Sequence, residues 1–387
     1  MRNARLVPVV LLAVLLVGCS GIPGGSSAPP AGNNPAASSS AAPSSAAPSS
    51  APDTAGFSVI ASGDFLIHPA VTAQAVKDGH GRIGYDPIMA GVRPEVSAAD
   101  LAICHLETPV ATKGGPYQGY PQFDVPPQII STIKWMGYDS CSTASNHSLD
   151  QGAAGITRTL DDLDAAGVKH TGSARSAAGA ARVDMLDVHG IKVAQFSYAY
   201  GFNGFTVPKD KPWLANRIDV TTILQAARAA KKAGAKVVIL SLHWGIEDHH
   251  AATAKQRRMA KKLLDDPAVD LIIGCHAHVV QPFEKINGKW VVYGMGNLVA
   301  RHDDPLGTTE EGVLARFHFA RNDSGGYTVD KAQYIPTLIE LTPKIRVLDL
   351  TGPSADQAPA ARRKLALRRT DHTVLSMGAG AAGLTRG

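Results

Sequence analysis

Short apolar runs alternate along the chain with stretches in which apolar positions return every three to four residues. The first pattern predicts strands and the second amphipathic helices. Strand-like runs are Phe57–Gly63, Asp100–Cys104, Tyr138–Thr143, Val183–Val188, Lys192–Ser197, Lys236–Leu242, Asp270–Gly274, Val279–Ile286, Lys289–Gly294, Val313–Phe319 and Tyr327–Leu338. Between them the spacing predicts helices over 126–136, 152–166 and 219–233. In the last of these Asp219 can cap the start, and Val220, Ile223, Leu224 and Ala227 keep helical spacing. Gly137, Gly167 and Gly234 close the three helices. Strand after helix after strand predicts an α/β domain with a mainly parallel start. After residue 279 the strands follow one another through short loops, so part of the sheet should be antiparallel. No internal repeat is present.

The N-terminal pattern is different. Arg2 and Arg5 precede an apolar run, Leu6 to Val17, which is too short to span a bilayer and has the length of a secretion-signal core. The run ends in Leu16-Val17-Gly18-Cys19, small residues before a cysteine that resemble a bacterial lipobox. There the cysteine is diacylated and becomes the first residue of the mature chain. Residues 1–18 are therefore expected to be a lipoprotein signal peptide, with Cys19 the lipidated residue. Ser20, not Asp, follows, so nothing points to inner-membrane retention. Residues 21–56 are mostly Ala, Pro, Ser and Gly with almost no large apolar side chain. Such a segment cannot offset its chain entropy by burial, so 19–56 is expected to be a disordered tether, kept extended by its prolines. Multiple acyl chains give stable anchoring. The expectation is an extracytoplasmic protein anchored to the cell membrane as a lipoprotein, with its working domain over 57–345.

The formal net charge of +5 looks at first like a mark of an acidic partner. Arg2 and Arg5 supply two of these charges, Asp53 removes one, and the span 356–387 supplies four. The span 57–355 is thus left neutral. Nucleic-acid binding has no electrostatic footprint there. Residues 346–387 are expected to be a basic, disordered tail.

Polar residues able to bind hard or borderline metals recur where predicted strands end. The five clusters are Gly63-Asp64-Phe65-Leu66-Ile67-His68, His105-Leu106-Glu107-Thr108-Pro109, Ala144-Ser145-Asn146-His147-Ser148-Leu149-Asp150-Gln151-Gly152, Leu242-His243-Trp244-Gly245-Ile246-Glu247 and Gly274-Cys275-His276-Ala277-His278-Val279. In open α/β sheets ligands bind beyond the carboxyl ends of the strands, so these clusters should meet in space. They offer the carboxylates of Asp64 and Glu107, the amide oxygen of Asn146 and the imidazoles of His68, His243, His276 and His278. Mixed oxygen and nitrogen ligation suits Mn, Zn or Fe. These ligands are too many for one tetrahedral ion, and they fit two divalent ions sharing a bridging carboxylate.

The ordered segments GDFLIH, LETPV, SNHSLDQG, LHWGIE, GCHAHVVQPFE and YGMGNLV resemble the CapA family of bacterial capsule (poly-γ-glutamate) synthesis proteins. That family's fold is similar to the calcineurin-like metallophosphoesterases. The resemblance covers roughly residues 57–345, and it implies a four-layer sandwich of two mixed β-sheets flanked by helices. It also implies that Asp64, His68 and His278 hold a first metal, that Glu107 bridges, and that Asn146, His243 and His276 hold a second. His147 would be the acid beside the site, with Asp150 orienting it or the Asn146 loop, and Asn297 would line the pocket. His105 stands where the family usually has Asn, and Cys275 and Ala277 replace commoner neighbours. These departures leave the ligand set whole.

Two function classes follow. In the first, two metals activate water for phosphoester-type hydrolysis, and His147 protonates the leaving oxygen. In the second, the domain is a non-catalytic accessory protein that binds an anionic polymer or cell-wall intermediate during capsule assembly or export, alongside capsule-synthesis membrane proteins. Trp244, Tyr293, Arg301 and His302 are candidates to line the substrate cleft, with Trp244 equally readable as core. Arg301 offers the planar fork that matches phosphate or carboxylate. With Cys19 lipidated, Cys104, Cys141 and Cys275 remain. They are expected to be small buried apolar residues, with a Cys104–Cys141 bridge as the alternative.

Overall fold

The computed structural model describes residues 56–183 and 185–387. The expected signal peptide, Cys19 and the tether up to residue 55 lie outside the described residues. The strands are β1 (Phe57–Phe65), β2 (Leu101–Leu106), β3 (Ser140–Ser142), β4 (Lys169–Thr171), β5 (Met185–Val188), β6 (Ile191–Ala199), β7 (Val237–His243), β8 (Leu271–Cys275), β9 (Phe283–Ile286), β10 (Lys289–Val292), β11 (Asn297–Val299), β12 (Glu311–Arg321), β13 (Tyr327–Glu340), β14 (Arg346–Asp349) and β15 (Leu384–Arg386). The helices are α1 (Pro69–Asp78), α2 (Asp86–Met89), α3 (Arg93–Ser97), α4 (Gln128–Met136), α5 (Gly152–Ala165), α6 (Ala177–Ala180), α7 (Val220–Lys232), α8 (Ala254–Leu264) and α9 (Ala360–Val374).

Two mixed sheets result. The first runs β14-β13-β12-β1-β2-β3-β4, with β11 added on β1 and β15 on β13. The second runs β5-β6-β7-β8-β10-β9. Strands β1, β2, β3 and β4 are parallel to one another, as are β6, β7, β8 and β10. The antiparallel pairs β1–β12, β12–β13 and β9–β10 follow the short-loop region as expected.

The layers follow from side-chain alternation. On β1, Val59 and Ala61 enter a core between the two sheets, while Ile60 enters a second core beneath the helices. On β7 and β8, Val237, Ile239, Leu271 and Ile273 face the inter-sheet core, and Val238, Leu240 and Ile272 face a third core under α7 and α8. Central strands buried on both faces carry near-continuous apolar runs. The order helix, sheet, sheet, helix is the expected four-layer sandwich.

Local signals placed several elements well. Asp219 accepts a hydrogen bond from Thr222 N–H at 2.8 Å and caps α7. Gly137 takes the left-handed conformation that ends α4. Other expectations need correction. Val279–Ile286 is not one strand: only Phe283–Ile286 pairs continuously, with β10, while Val280 makes an isolated bridge to Met295 just after the bend that carries His276 and His278. The three-residue strands β4 and β11 are too short to show periodicity.

The span 346–387, expected as a disordered tail, is folded. It supplies β14, α9 and β15, and buries Val347, Leu348, Leu350, Ala366, Val374 and Leu384. Its cations are largely paired within the fold: Arg362 with Glu310 and Glu311, Arg363 with Asp356, Arg369 with Glu311, and Arg386 with Asp371. The cysteine expectation is also corrected. Cys104 and Cys141 are joined in a disulfide, because β2 and β3 place them opposite each other in parallel register with Cα atoms 4.5 Å apart. Cys275 is a free buried thiol.

Candidate metal centre

All five polar clusters converge at the carboxyl ends of parallel strands from both sheets. Asp64 sits near the end of β1, beside His105 of β2 in parallel register. His243 ends β7 and pairs in register with Cys275 at the end of β8. Asn146, His147 and Asp150 follow β3, and His276 and His278 follow β8. Gly63 is needed here, because a Cβ at that position would collide with the Gly296 carbonyl oxygen where β1 and the chain before β11 meet. His276 and His278 both hold positive φ, 98° and 56°. Non-glycine residues pay for that conformation, and such strain gathers at functional sites where the surroundings enforce it.

Three groups of ligand atoms form, each with its atoms within 4.8 Å of one another: Asp64 with His105 and His243, Asp64 with Glu107 and His278, and Glu247 with His276 and His278. His278 Nδ1 lies 3.3 Å from Asp64 Oδ2, and its Nε2 lies 3.8 Å from Glu107 Oε1. His243 Nε2 lies 3.8 Å from the same Glu107 oxygen and 3.0 Å from Asn146 Oδ1. His105 Nε2 lies 2.9 Å from His243 Nδ1 and 3.7 Å from Asp64 Oδ1. Shared Asp64 and shared His278 make the three groups one contiguous centre.

The electrostatics are those of a cation site. Glu107 is buried, and neither of its carboxylate oxygens has a hydrogen-bond partner; Asp64 Oδ1 and His276 Nδ1 are likewise orphaned. A buried polar group left unpaired is costly, so four of them around one point require an explanation. Burial holds the Glu107 carboxyl well above its usual range, against the pull of His278. For Asp64 burial works in the same direction but is outweighed by His278 and His105, which hold it low. Burial drives His276 down to about 3 and His68 to about 4, with neighbouring His278 adding repulsion. Burial also lowers His105 and His243. These rings are neutral and have lone pairs to offer. His278 is the exception: burial opposes its charge, but Glu107 and Asp64 raise it to about 10. The donor set of two carboxylates, an amide oxygen and imidazoles fits one or more divalent transition ions.

Around this centre the expected residues fall into distinct places. His147 Nδ1 lies 2.7 Å from Asp150 Oδ2, which also accepts the Phe123 N–H. Asp150 therefore orients the His147 ring, which packs edge-on against Phe123. His68 belongs to none of the three ligand groups. Its Nδ1 lies 3.1 Å from both the Leu66 carbonyl oxygen and the Arg301 N–H, and its ring meets Phe123 and His302, because the chain turns into α1 directly after it. Asn297 does not line an open pocket. It is fully buried on β11, where its Oδ1 lies 2.9 Å from His278 Nδ1, so it stands behind a ligand. Trp244 is core, its indole N–H donating to the Tyr293 carbonyl at 2.9 Å. Arg301 directs its guanidinium to the His302 carbonyl and to Asp303, away from the ligand groups.

The centre also contains residues that the sequence reading did not make ligands. His105 was set aside as a departure from a family pattern. Its signal was the spacing itself: His105 and Glu107 are two apart at the end of one strand, hence on one side of it. Glu247 was quoted in a cluster but given no role, and half-exposed Tyr200 was not singled out. Its ring lies 4.5 Å from that of His276 and 6.3 Å from that of His243.

Comparisons with known proteins bear on this geometry. The model of the bacterial capsule synthesis protein family PGA_cap matches residues 58–302. The PGA biosynthesis protein CapA of Bacillus subtilis is 27% identical over 254 residues, covering 64% of this chain and 64% of that protein. The capsule biosynthesis protein CapA of Bacillus anthracis is 24% identical over 266 residues, covering 66% of this chain and 64% of that protein. The chain thus spans just under two thirds of the length of each. A probable polyglutamine synthesis accessory protein of Mycobacterium tuberculosis is 28% identical over 216 residues, 53% of this chain and 57% of that protein. Among solved structures, a calcineurin-like phosphoesterase from Bacillus subtilis is 17% identical, with a TM-score of 0.41 over 83% of this chain and 98% of its own. A 5'-nucleotidase precursor from Thermus thermophilus is 13% identical, with a TM-score of 0.44 over 83% of this chain and 59% of its own. The family match takes in all of the ligand residues above, and the chain belongs to the bacterial capsule synthesis protein family PGA_cap.

Proposed function

We propose that the chain is a metal-dependent hydrolase of phosphoester type, tethered to the outer face of the cell membrane through a lipidated Cys19. The observation that carries the hydrolase reading is Glu107, fully buried with both carboxylate oxygens unpartnered amid Asp64, His243 and His278. Asp64, His105, Glu107, Asn146, His243, His276 and His278 would hold two divalent ions, with Glu247 at the exposed edge. Such ions supply Lewis acidity, lower the pKa of water toward neutrality and offset the charge of a phosphoryl group. The chain's own residues would do the rest. Asp150 accepts the His147 Nδ1–H, so a ring carrying a second proton on Nε2 would give that proton to the leaving oxygen and be left as the neutral Nδ1–H form. Phe123 and the buried histidines limit water around that ring.

The test is hydrolysis of p-nitrophenyl phosphate and its bis-ester by purified chain, with metal content read by elemental analysis. Activity abolished by chelator and restored by Mn²⁺ or Zn²⁺ is expected. His147→Ala should lower turnover by about 10²–10⁴-fold while metal content stays, whereas Asp64→Asn should lose the metal. A dialysed protein with no transition metal, inert on both esters, ends this reading. The name of the mycobacterial relative favours a second: an accessory protein that binds an anionic polymer through the same centre. Metal-dependent binding of poly-glutamate without turnover would select it.

A further inference from the structure

The structure assigns the C-terminal helix α9 a part in holding the metal centre: Arg362 and Arg369 clamp the 301–310 loop, which holds His278 through Thr309 and Asn297 at one end and carries His302 at the other. The assignment rests on the metal reading of the site only in its consequence for ion binding.

The chain of contacts is continuous. Arg369 Nη1 donates to the Leu306 carbonyl at 2.8 Å, and Arg362 Nη2 donates to the Gly307 carbonyl at 2.7 Å. Both guanidinium groups also reach Oε1 of Glu311, at 3.2 Å and 2.5 Å, and Glu311 is itself buried at the start of β12. A buried carboxylate between two arginines is a fixed anchor, since charge-assisted bonds are both strong and directional. Within the loop, Asp304 accepts the N–H groups of Leu306, Thr308 and Thr309, which sets the turn. The Thr309 carbonyl then accepts from Asn297 Nδ2 at 2.9 Å, and the same side chain holds His278 through Nδ1 and through its carbonyl. At the other end of the loop the Arg301 N–H meets His68 Nδ1, and the His302 ring lies 4.8 Å from that of His278 and 5.1 Å from that of His68.

Loss of partners of this kind, which orient a ligand without touching the ion, typically costs about 10–100-fold in metal affinity. Glu311, Arg362 and Arg369 all lie beyond residue 302, where the family match ends. Arg362 and Arg369 are positioning residues supplied by the part of the chain expected from sequence to be a basic, disordered tail.

The test uses the full chain carrying Arg362→Gln and Arg369→Gln. Amide hydrogen exchange of 303–310 in chelated protein should quicken about tenfold or more, with β7 and β8 unchanged. Mn²⁺ affinity by calorimetry should fall about tenfold. The conservative Arg369→Lys, which keeps a cation beside Glu311, should restore most of the slow exchange. If the double variant does not fold, Arg369→Gln alone serves. Unchanged exchange in the loop, or quickened exchange with Mn²⁺ affinity untouched, overturns the assignment. A wild-type chain that takes up no Mn²⁺ refutes the metal reading instead, and the exchange measurement alone then decides the clamp.

Discussion

His278 is the residue on which the centre turns. It touches Asp64 and Glu107 on one side and is held by Asn297 on the other. In the metal-free chain the two carboxylates keep a proton on it up to about pH 10, against the burial that would remove it. An ion must displace that proton before the nitrogen can ligate, so the sign is fixed: apparent affinity rises with pH between neutrality and about 10, and binding releases protons. Calorimetry of Mn²⁺ binding in two buffers of different ionisation enthalpy should give release of about one proton or more per ion at pH 7. Identical heats in both buffers would contradict the arrangement. That Asp64, Glu107, His243, His276 and His278 could gather as candidate ligands was legible at this scale, because each stands at the end of an apolar run. His68 falls in none of the candidate groups and His105 in one, a difference from the sequence reading that arises because spacing along the chain does not say which way a side chain points after a strand ends.

Elements explain why the clusters meet. Five parallel strand ends supply the candidate ligands, and the connections between them return each strand in the same direction. The disulfide belongs to this scale. It joins β2, which leads to His105 and Glu107, to β3, which leads to Asn146 and His147. Replacing both Cys104 and Cys141 by alanine should cost about 2–4 kcal/mol in urea unfolding, and the same loss should appear when the wild-type protein is fully reduced. No change in either measurement would mean that the bridge is not formed in the native chain. Strands and helices with full periodicity, such as β7, β8 and α7, were predictable nearly to the residue. Strands β4 and β11 were not, since three residues carry no period and their pairing is decided by neighbours distant in sequence.

At the scale of the whole molecule the charge of +5 changes meaning. Part of its C-terminal share is paired across to Glu311 through Arg362 and Arg369, and part within the span through Arg363 with Asp356 and Arg386 with Asp371, so it marks an internal clasp and not a free basic tail. The proposed anchoring is testable separately. Cys19→Ser should move the protein from the detergent-extracted membrane fraction to the soluble one and abolish incorporation of labelled palmitate. Retention in the membrane fraction with no change in labelling would refute lipidation at that residue.

By itself the sequence determined the alternation of strands and helices and the strand ends at which residues able to bind metal gather, because hydrophobic period and residue chemistry are local properties. Only the tertiary structure decided which ligands share a point in space, that Trp244 is core and Asn297 a support, that Cys104 faces Cys141, and that α9 closes on the loop beside the centre. Each of these depends on strand register and on packing between sheets, and contacts between residues tens to hundreds of positions apart leave no period in the chain to read.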